Sequence, residues 1–475
     1  MRHVDVAILG AGTAGLTALG IVRKATDDFV VINDGPYGTT CSRVGCMPSK
    51  ALIQIANDFH RRRTFEAVGI RHGEALRVDL PAALAWVRAY RDRLTSHNLE
   101  ATDQIGDKSI PGRASFLAPD ELHVALNDGG EERIHARATI IATGSRPVVP
   151  DAWRALGGRI LTTDTLFEQE DLPRRLAVVG LGAIGLELGQ ALARLGLEVT
   201  GFELRGAVAA LTDPEVGAYA IEQMASELPL HLGHGVDVEV DGDALRVSAG
   251  DAGVTVDALL AAMGRRPNVD GLGLEALGAE LDARGIPRFD PHTTRLRTGR
   301  AEDLPIFLAG DVTGDRVVMH EASDEGFLAA WNAVHGPARF RRRVPLTIAF
   351  TEPEIALVGR THAELASENE DVVTGKVDFS RQSRAIGMRR AAGRLRLYAR
   401  RADGRLLGAE MMAPDGEHLA HLLALAIDRE LTLADLLMMP VYHPVLEEGL
   451  RSAVRSMARQ VYGQAPLEFR PLGDG

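Results

Sequence analysis

The sequence predicts an α/β protein of several domains, two of them built on one repeated unit, followed by a domain of mixed α and β character. Three observations predict it. The 475-residue chain is longer than one hydrophobic core usually organises. A glycine-rich loop that follows an apolar run and opens a helix occurs twice, at Gly10 and at Gly180. From about Pro345 the pattern changes to strand-like runs and then helices.

The first unit begins with Val4 to Leu9, an apolar run that fits a buried parallel strand. It enters Gly10-Ala11-Gly12-Thr13-Ala14-Gly15, and Leu16 to Lys24 then read as a helix. Phe29 to Ile32 form the next strand, which ends at Asn33-Asp34. The second unit repeats the plan with Leu176 to Val179, the loop Gly180-Leu181-Gly182-Ala183-Ile184-Gly185, a helix from Leu186 to Leu195, and a strand from Leu197 to Phe202 that ends at Glu203. Far downstream of each, a strand closes on small residues, at Ile140 to Gly144 and at Leu260 to Gly264. Between the units, Pro81 to Leu99 has helical periodicity. Phe116 to Leu126 followed by Asn127-Asp128-Gly129-Gly130 predicts a hairpin arm. In the last third, Thr347 to Val358 and Arg394 to Arg400 read as strands and Gly416 to Arg459 as helices, after a solvated linker at Arg341 to Arg343.

Hydrophobic residues make up 45% of the chain and charged residues 25%, the balance of an ordinary globular protein. The net charge of −12 argues against nucleic acid as a main partner and suits solubility. No apolar run reaches the roughly 18–20 residues of a membrane-spanning helix. Arg2 and His3 before an apolar stretch imitate a signal peptide, but Asp5 and three glycines make it a strand running into a phosphate loop. The expected compartment is the cytoplasm.

One G-x-G-x-x-G is weak. Two, each after a strand and opening a helix, specify dinucleotide binding. Gly10, Gly12 and Gly15, and again Gly180, Gly182 and Gly185, let the backbone approach a pyrophosphate that the helix N-terminus stabilises. Glu203 closes the second unit, where a carboxylate accepts hydrogen bonds from the adenosine ribose and repels a 2′-phosphate. That favours NAD over NADP, tempered by Arg205 two residues on. In the first unit the equivalent position holds Asn33, with Asp34 beside it, and either can take the ribose.

The two cysteines lie five positions apart, at Cys41 and Cys46. Two are too few for a disulfide-stabilised secreted scaffold, so the pair reads as a transient, catalytic disulfide. In a regular α-helix Cα atoms five residues apart are roughly 8–9 Å from each other, and a disulfide tolerates at most about 7 Å. A bridge therefore requires a distorted segment, which Gly45 permits. A strained bridge near a helix start is easily reduced, and the helix dipole there favours the thiolate. Lys50 and Glu187 sit just inside the helices that follow the cofactor loops, and Asp311 ends a strand where a carboxylate can bind a polyol chain. His443-Pro444, with Glu447 and Glu448 close behind, offers a carboxylate-oriented histidine able to deprotonate one thiol and protonate another.

Together these motifs resemble the flavin-dependent pyridine nucleotide–disulfide oxidoreductases, and among them most closely the dihydrolipoamide dehydrogenases. The resemblance rests on the cysteine segment running into Pro48-Ser49-Lys50, the Gly180 loop running into Gly185-Leu186-Glu187-Leu188-Gly189, Gly264-Arg265-Arg266-Pro267-Asn268, Ala309-Gly310-Asp311, and His443-Pro444 through Glu448, all in the family's order. It implies two dinucleotide-binding, Rossmann-like domains, with the NAD domain inserted in the FAD domain, plus an α+β C-terminal dimerisation domain. The expected bounds are 1–148 for the FAD domain, 149–270 for the NAD domain, 271–343 for a central segment completing the FAD domain, and 344–475 for the interface domain. It implies a homodimer in which His443, oriented by Glu448, reaches the other subunit's cysteines. Cys46 would face the flavin and Cys41 exchange with substrate, Lys50 and Glu187 would pair near the flavin, and Asp311 would bind the ribityl chain. Ala114, Thr143, Gly144 and Ala322 would join the FAD site, and Gly264 the NAD site. The implied reaction carries electrons from dihydrolipoamide through the Cys41–Cys46 disulfide and the flavin to NAD, with a lipoyl domain of a multienzyme complex as a further partner.

The chain departs from that pattern at the substrate side. Thr39-Thr40 stands where Gly-Gly-Thr usually precedes the first cysteine, Tyr442 adds bulk beside His443, and Phe350 and Glu352 replace the usual Tyr and His. The rival readings are an NADH-dependent reductase of another low-molecular-weight disulfide and a non-catalytic flavoprotein subunit. The lack of a third cysteine argues against mercuric reductases and the large thioredoxin reductases.

Overall fold

The computed structural model describes residues 1–300, 304–463 and 468. The apolar N-terminal run forms β1 (Arg2–Leu9), the glycine loop opens α1 (Thr13–Ala25), and β2 (Phe29–Asn33) follows. The cysteine segment makes two helices, α2 (Thr40–Arg43) and α3 (Cys46–His60), and the long α4 (Leu80–Asp103) lies beyond them. Then come β3 (Ser109–Ala118), β4 (Glu121–Leu126) and β5 (Glu131–Ile141). The run from Phe116 to Leu126 is therefore not one strand: Pro119-Asp120 turns it, and the arm is a three-stranded meander.

Strands β3 and β5 are long enough to serve two layers. Their ends near 109–111 and 136–141 pair in parallel with β2 and β1, while the stretches between pair antiparallel through β4. The chain leaves this sheet through the short β6 (Ser145–Pro147) and builds a second one: β7 (Ile160–Leu161), β8 (Arg175–Val179), the helix α5 (Ala183–Arg194), β9 (Glu198–Glu203), β10 (Leu230–Leu232), a meander of β11 (Asp237–Asp241), β12 (Ala244–Ala249) and β13 (Ala252–Val256), and β14 (Ala258–Ala261). Its parallel order is β10-β9-β8-β14-β7. Parallel sheet plus three-stranded meander is the plan of the first sheet again. The return is made by β15 (Arg265–Pro267), which pairs antiparallel with β6. Strand β16 (Ile306–Leu308) then rejoins β5, and α6 (Met319–His335) packs on α1.

The last third is a five-stranded antiparallel sheet of β17 (Leu346–Ala349), β18 (Glu354–Gly359), β19 (Val372–Asp378), β20 (Arg394–Arg400) and β21 (Leu406–Ala413). Helices α7 (Gly416–Asp428) and α8 (Glu448–Tyr462) cover it. The predicted run from Thr347 to Val358 is two strands, broken at 350–353 by the turn that holds Pro353. Buried side chains gather in separate cores, one per sheet face, and one of these cores joins α3, the second sheet and Ile355 of the third. Among the described residues no helix is long and apolar enough to cross a membrane.

Candidate active site

Both glycine loops are built by the same steric demands. A Cβ at Gly10 would sit 2.3 Å from the Ala142 carbonyl oxygen, and one at Gly15 would sit 1.9 Å from the Gly10 oxygen. In the second loop Gly180 and Gly185 face the same limits, at 2.5 Å from Ala262 and 1.8 Å from Gly180. These four glycines let the loop, the helix and the closing strand pack together. Gly12 and Gly182 differ, since a Cβ there would meet nothing within 4 Å. Each is the residue before its helix, and both open onto one cavity of about 1400 Å³. The helix N-termini thus present free N–H groups to a space large enough for two dinucleotides.

The ends of β2 and β9 show what each loop asks of its partner strand. Glu203 accepts a hydrogen bond from the Leu181 N–H at 2.7 Å and another from the Arg205 N–H at 3.0 Å. Asn33 plays the first role in its own unit, its Oδ1 accepting from the Ala11 N–H at 3.2 Å. Its Nδ2 is buried with no protein partner. The structure thus sets Asn33 in the place that Glu203 holds in the second unit, and Asn33 does not itself line the cavity.

The cysteines sit where α2 breaks from α3. Val44 and Gly45 leave helical geometry, with φ/ψ of −138/2° and −114/−116°, so the five-residue spacing is distorted as a bridge requires. Both are free thiols here. The Cys41 thiol hydrogen-bonds Cys46, which with the nearby Lys50 charge pulls Cys46 down to about 7 against the opposing effect of burial. Cys41, the donor of that bond and itself half-buried, is pushed well above the ordinary thiol range. The loop around them is held by buried hydroxyls: Thr39 and Ser42 share a hydrogen bond at 2.5 Å, and Asn98 on α4 donates to Ser42 at 2.6 Å.

Lys50, one turn after Cys46 on α3, donates to Glu187 of α5 at 2.8 Å. Glu187 is buried, and its other oxygen accepts from the Phe350 N–H at 2.9 Å. Cys41, Cys46, Lys50, Glu187, Gly144, Asp311, Ala322, Glu203 and Gly264 all line the cavity with the two loops. Asp311 accepts from the Ser145 hydroxyl at 2.6 Å, and Arg265 in turn donates to Ser145 at 2.8 Å. Thr143 and Asn268 exchange side chain-to-backbone bonds of 2.8 and 3.0 Å, stitching the crossing between the two sheets. Ala114 does not line the cavity and packs in the core of the first meander. Met319 and His421 do line it and carry no motif of their own. They come from separate elements that only the fold brings together.

His443 and Glu448 lie elsewhere. The His443 Nδ1 meets the Glu448 carboxylate at 3.0 Å, which makes Nδ1 the donor and leaves Nε2 basic. That bond holds Glu448 below the usual carboxylate range. The His443 side chain is 77% exposed, and the pair does not line the cavity within one chain.

The model of the pyridine nucleotide-disulphide oxidoreductase family matches residues 4–326, and that of its dimerisation domain matches 345–454. The chain belongs to this family. It is an enzyme of the flavin disulfide oxidoreductases, whose members bind FAD and NAD(P), and the loops with the open Gly12 and Gly182 fit such ligands. The oxidoreductase is 32% identical to a dihydrolipoyl dehydrogenase of Haloferax volcanii, with 97% of each chain covered. It is also 32% identical to a mercuric reductase of Streptomyces lividans, over 96% of this chain and 97% of that one. Among solved structures, LpdA of Mycobacterium tuberculosis superposes with a TM-score of 0.82 at 25% identity, covering 96% of this chain and 99% of that one. The flavoprotein disulfide reductase RclA of Escherichia coli gives 0.82 at 22%, a likeness of fold.

Proposed function

We propose that the chain oxidises dihydrolipoamide with NAD, using Cys41 and Cys46 as a redox couple, and that it works as a homodimer in the cytoplasm. The observation that carries the reading is the thiol pair beside Lys50–Glu187, in one cavity with two dinucleotide loops, the second closed by Glu203. The dihydrolipoyl dehydrogenases among its relatives support the choice of dithiol.

In this reading the dithiol substrate attacks the Cys41–Cys46 disulfide at Cys41. One substrate S–S bond forms as the Cys41–Cys46 bond breaks, and the two electrons go on to NAD. FAD and NAD, when bound, supply that electron path. Gly12 and Gly182 with their helix N-termini hold the two pyrophosphates, Asn33 and Glu203 the two adenosine riboses, and Asp311 the ribityl chain. The first site is thus also served by Thr143, Gly144 and Ala322. The Glu203 carboxylate favours NAD over NADP by repelling a 2′-phosphate. Lys50 and Glu187 fix the charge around Cys46. The basic Nε2 of His443 takes the substrate thiol's proton at the cysteines of the second subunit, a role that suits its exposure and the dimerisation-domain match.

A second reading, reduction of a different small disulfide by NADH, draws on Tyr442, 81% exposed beside His443. Steady-state oxidation of NADH by lipoamide with FAD-loaded protein separates the two, with NADPH and glutathione disulfide run in parallel. Fast NADH–lipoamide turnover that vanishes in Cys41→Ser and Cys46→Ser is the expected outcome. Slow lipoamide turnover with the cysteine pair still reduced by NADH would move the assignment to another disulfide.

A further inference from the structure

Phe350 brings the third domain into the cavity between β17 and β18, and it touches both members of the Lys50–Glu187 pair. Its backbone N–H donates to one Glu187 oxygen at 2.9 Å while the other oxygen accepts from Lys50 at 2.8 Å. Its ring lies under the same ammonium, with Nζ 4.5 Å from the ring centroid. We propose that Phe350 is a positioning residue for the redox pair: its ring holds the Lys50 ammonium on its face beside Glu187, and so sets how strongly that charge stabilises the Cys46 thiolate.

The proposal rests on reading Cys41 and Cys46 as the redox couple. A cation over an aromatic face is attracted by the ring quadrupole, more strongly as water is excluded. The Lys50 side chain is 32% exposed and Glu187 only 5%, so the carboxylate is fixed while the ammonium has room to swing towards water. The ring face gives the ammonium a favourable seat on the protein side instead. Lys50 follows Cys46 by one helical turn, which puts their side chains on neighbouring positions of α3. Cys41, Lys50 and the backbone N–H of Cys46 lower the Cys46 thiol, Glu187 raises it, and burial opposes ionisation. Since Lys50 and Glu187 act with opposite sign, the position of the ammonium between ring and carboxylate decides their balance. Within one chain the His443–Glu448 pair does not line this cavity; in the proposed dimer the partner's pair faces the cysteines, and it is the same in every variant compared.

A ring that only fills space would be replaced by any apolar side chain of similar size. One that positions a cation would not. The two are separated by following thiolate ultraviolet absorbance against pH in reduced, FAD-loaded Cys41→Ser protein, read as a difference from Cys41→Ser/Cys46→Ser. With one thiol left, the signal is that of Cys46. Phe350→Leu keeps the backbone N–H and the apolar bulk and is expected to raise the midpoint by about half a unit. Phe350→Tyr, which keeps the π face, should restore it. In a Lys50→Met background, Phe350→Leu should shift nothing further. Should Phe350→Leu fail to fold, pentafluorophenylalanine at 350 keeps the shape while reversing the quadrupole, and the same rise is expected. An unchanged midpoint in Leu or in the fluorinated protein, or equal shifts in Leu and Tyr, overturns the proposal. The titration uses neither lipoamide nor NADH, so a wrong substrate assignment would show in turnover and leave this result standing.

Discussion

Cys46 stands at about 7 chiefly because Cys41 donates a hydrogen bond to it, with Lys50 second. The lowered value means that Cys46 is a thiolate above about pH 7 and loses that form as the pH falls through it. Cys41→Ala removes the main support, and Cys46 should rise towards the ordinary thiol value of about 8.5. Iodoacetamide labelling of Cys46 at pH 7 is then expected to slow about tenfold, the two proteins converging above pH 9. An identical labelling profile in both would show that Cys41 does not set the thiolate. Cys41, Cys46 and Lys50 were legible as a group because ten residues of sequence hold them all. The Lys50–Glu187 contact spans 137 residues, and only the family resemblance placed the two together. Neither the orphaned Asn33 amide nor the Phe350 ring could be read that way, since each depends on which way a side chain turns.

At the scale of elements, the glycine loops were the most readable feature, because their spacing answers to backbone sterics alone. The helices begin at Thr13 and Ala183, three residues ahead of the expected starts, since the last glycine of each loop already belongs to the first turn. The misread strands share a cause. Apolar alternation runs on through Phe116 to Leu126 and Thr347 to Val358, and a tight turn at Pro119-Asp120 or before Pro353 leaves it unmarked. Gly185→Ala tests the duplicated plan. Its Cβ would meet the Gly180 oxygen at 1.8 Å, an overlap costing about 1–3 kcal/mol. The purified variant should keep its flavin absorbance and lose NADH binding, and Gly15→Ala should do the reverse. Loss of flavin from the Gly185 variant would mean that the two loops do not serve separate ligands.

Across the whole molecule, a fully buried carboxylate is one of the side chains that fasten the second domain to the third, alongside the Tyr398–Asp213 and Phe350–Glu187 bonds. Glu410 of β21 accepts from the Thr212 N–H at 2.7 Å, the Thr212 hydroxyl at 2.5 Å, the Asp213 N–H at 2.9 Å and the His362 N–H at 2.8 Å. Glu410→Ala strands all four donors and should cost about 3–5 kcal/mol, with Glu410→Gln milder because one oxygen remains. Calorimetry should show the third domain of Glu410→Ala melting ahead of the rest, as a transition that the parent lacks. A lone transition shifted equally in both variants would deny Glu410 that role. Nothing in the sequence around Glu410 announces it.

The Lys50–Glu187–Phe350 contact also orders events in time. Lys50 leaves the ribosome almost with the cysteines, but Phe350 follows Cys46 by roughly 300 residues, which at ordinary elongation rates is about 15–60 s. For that interval a growing chain carries two thiols without the finished set of neighbours that tunes them. The thiol pair is tuned late, near the end of translation, when the residues that surround it have at last been made.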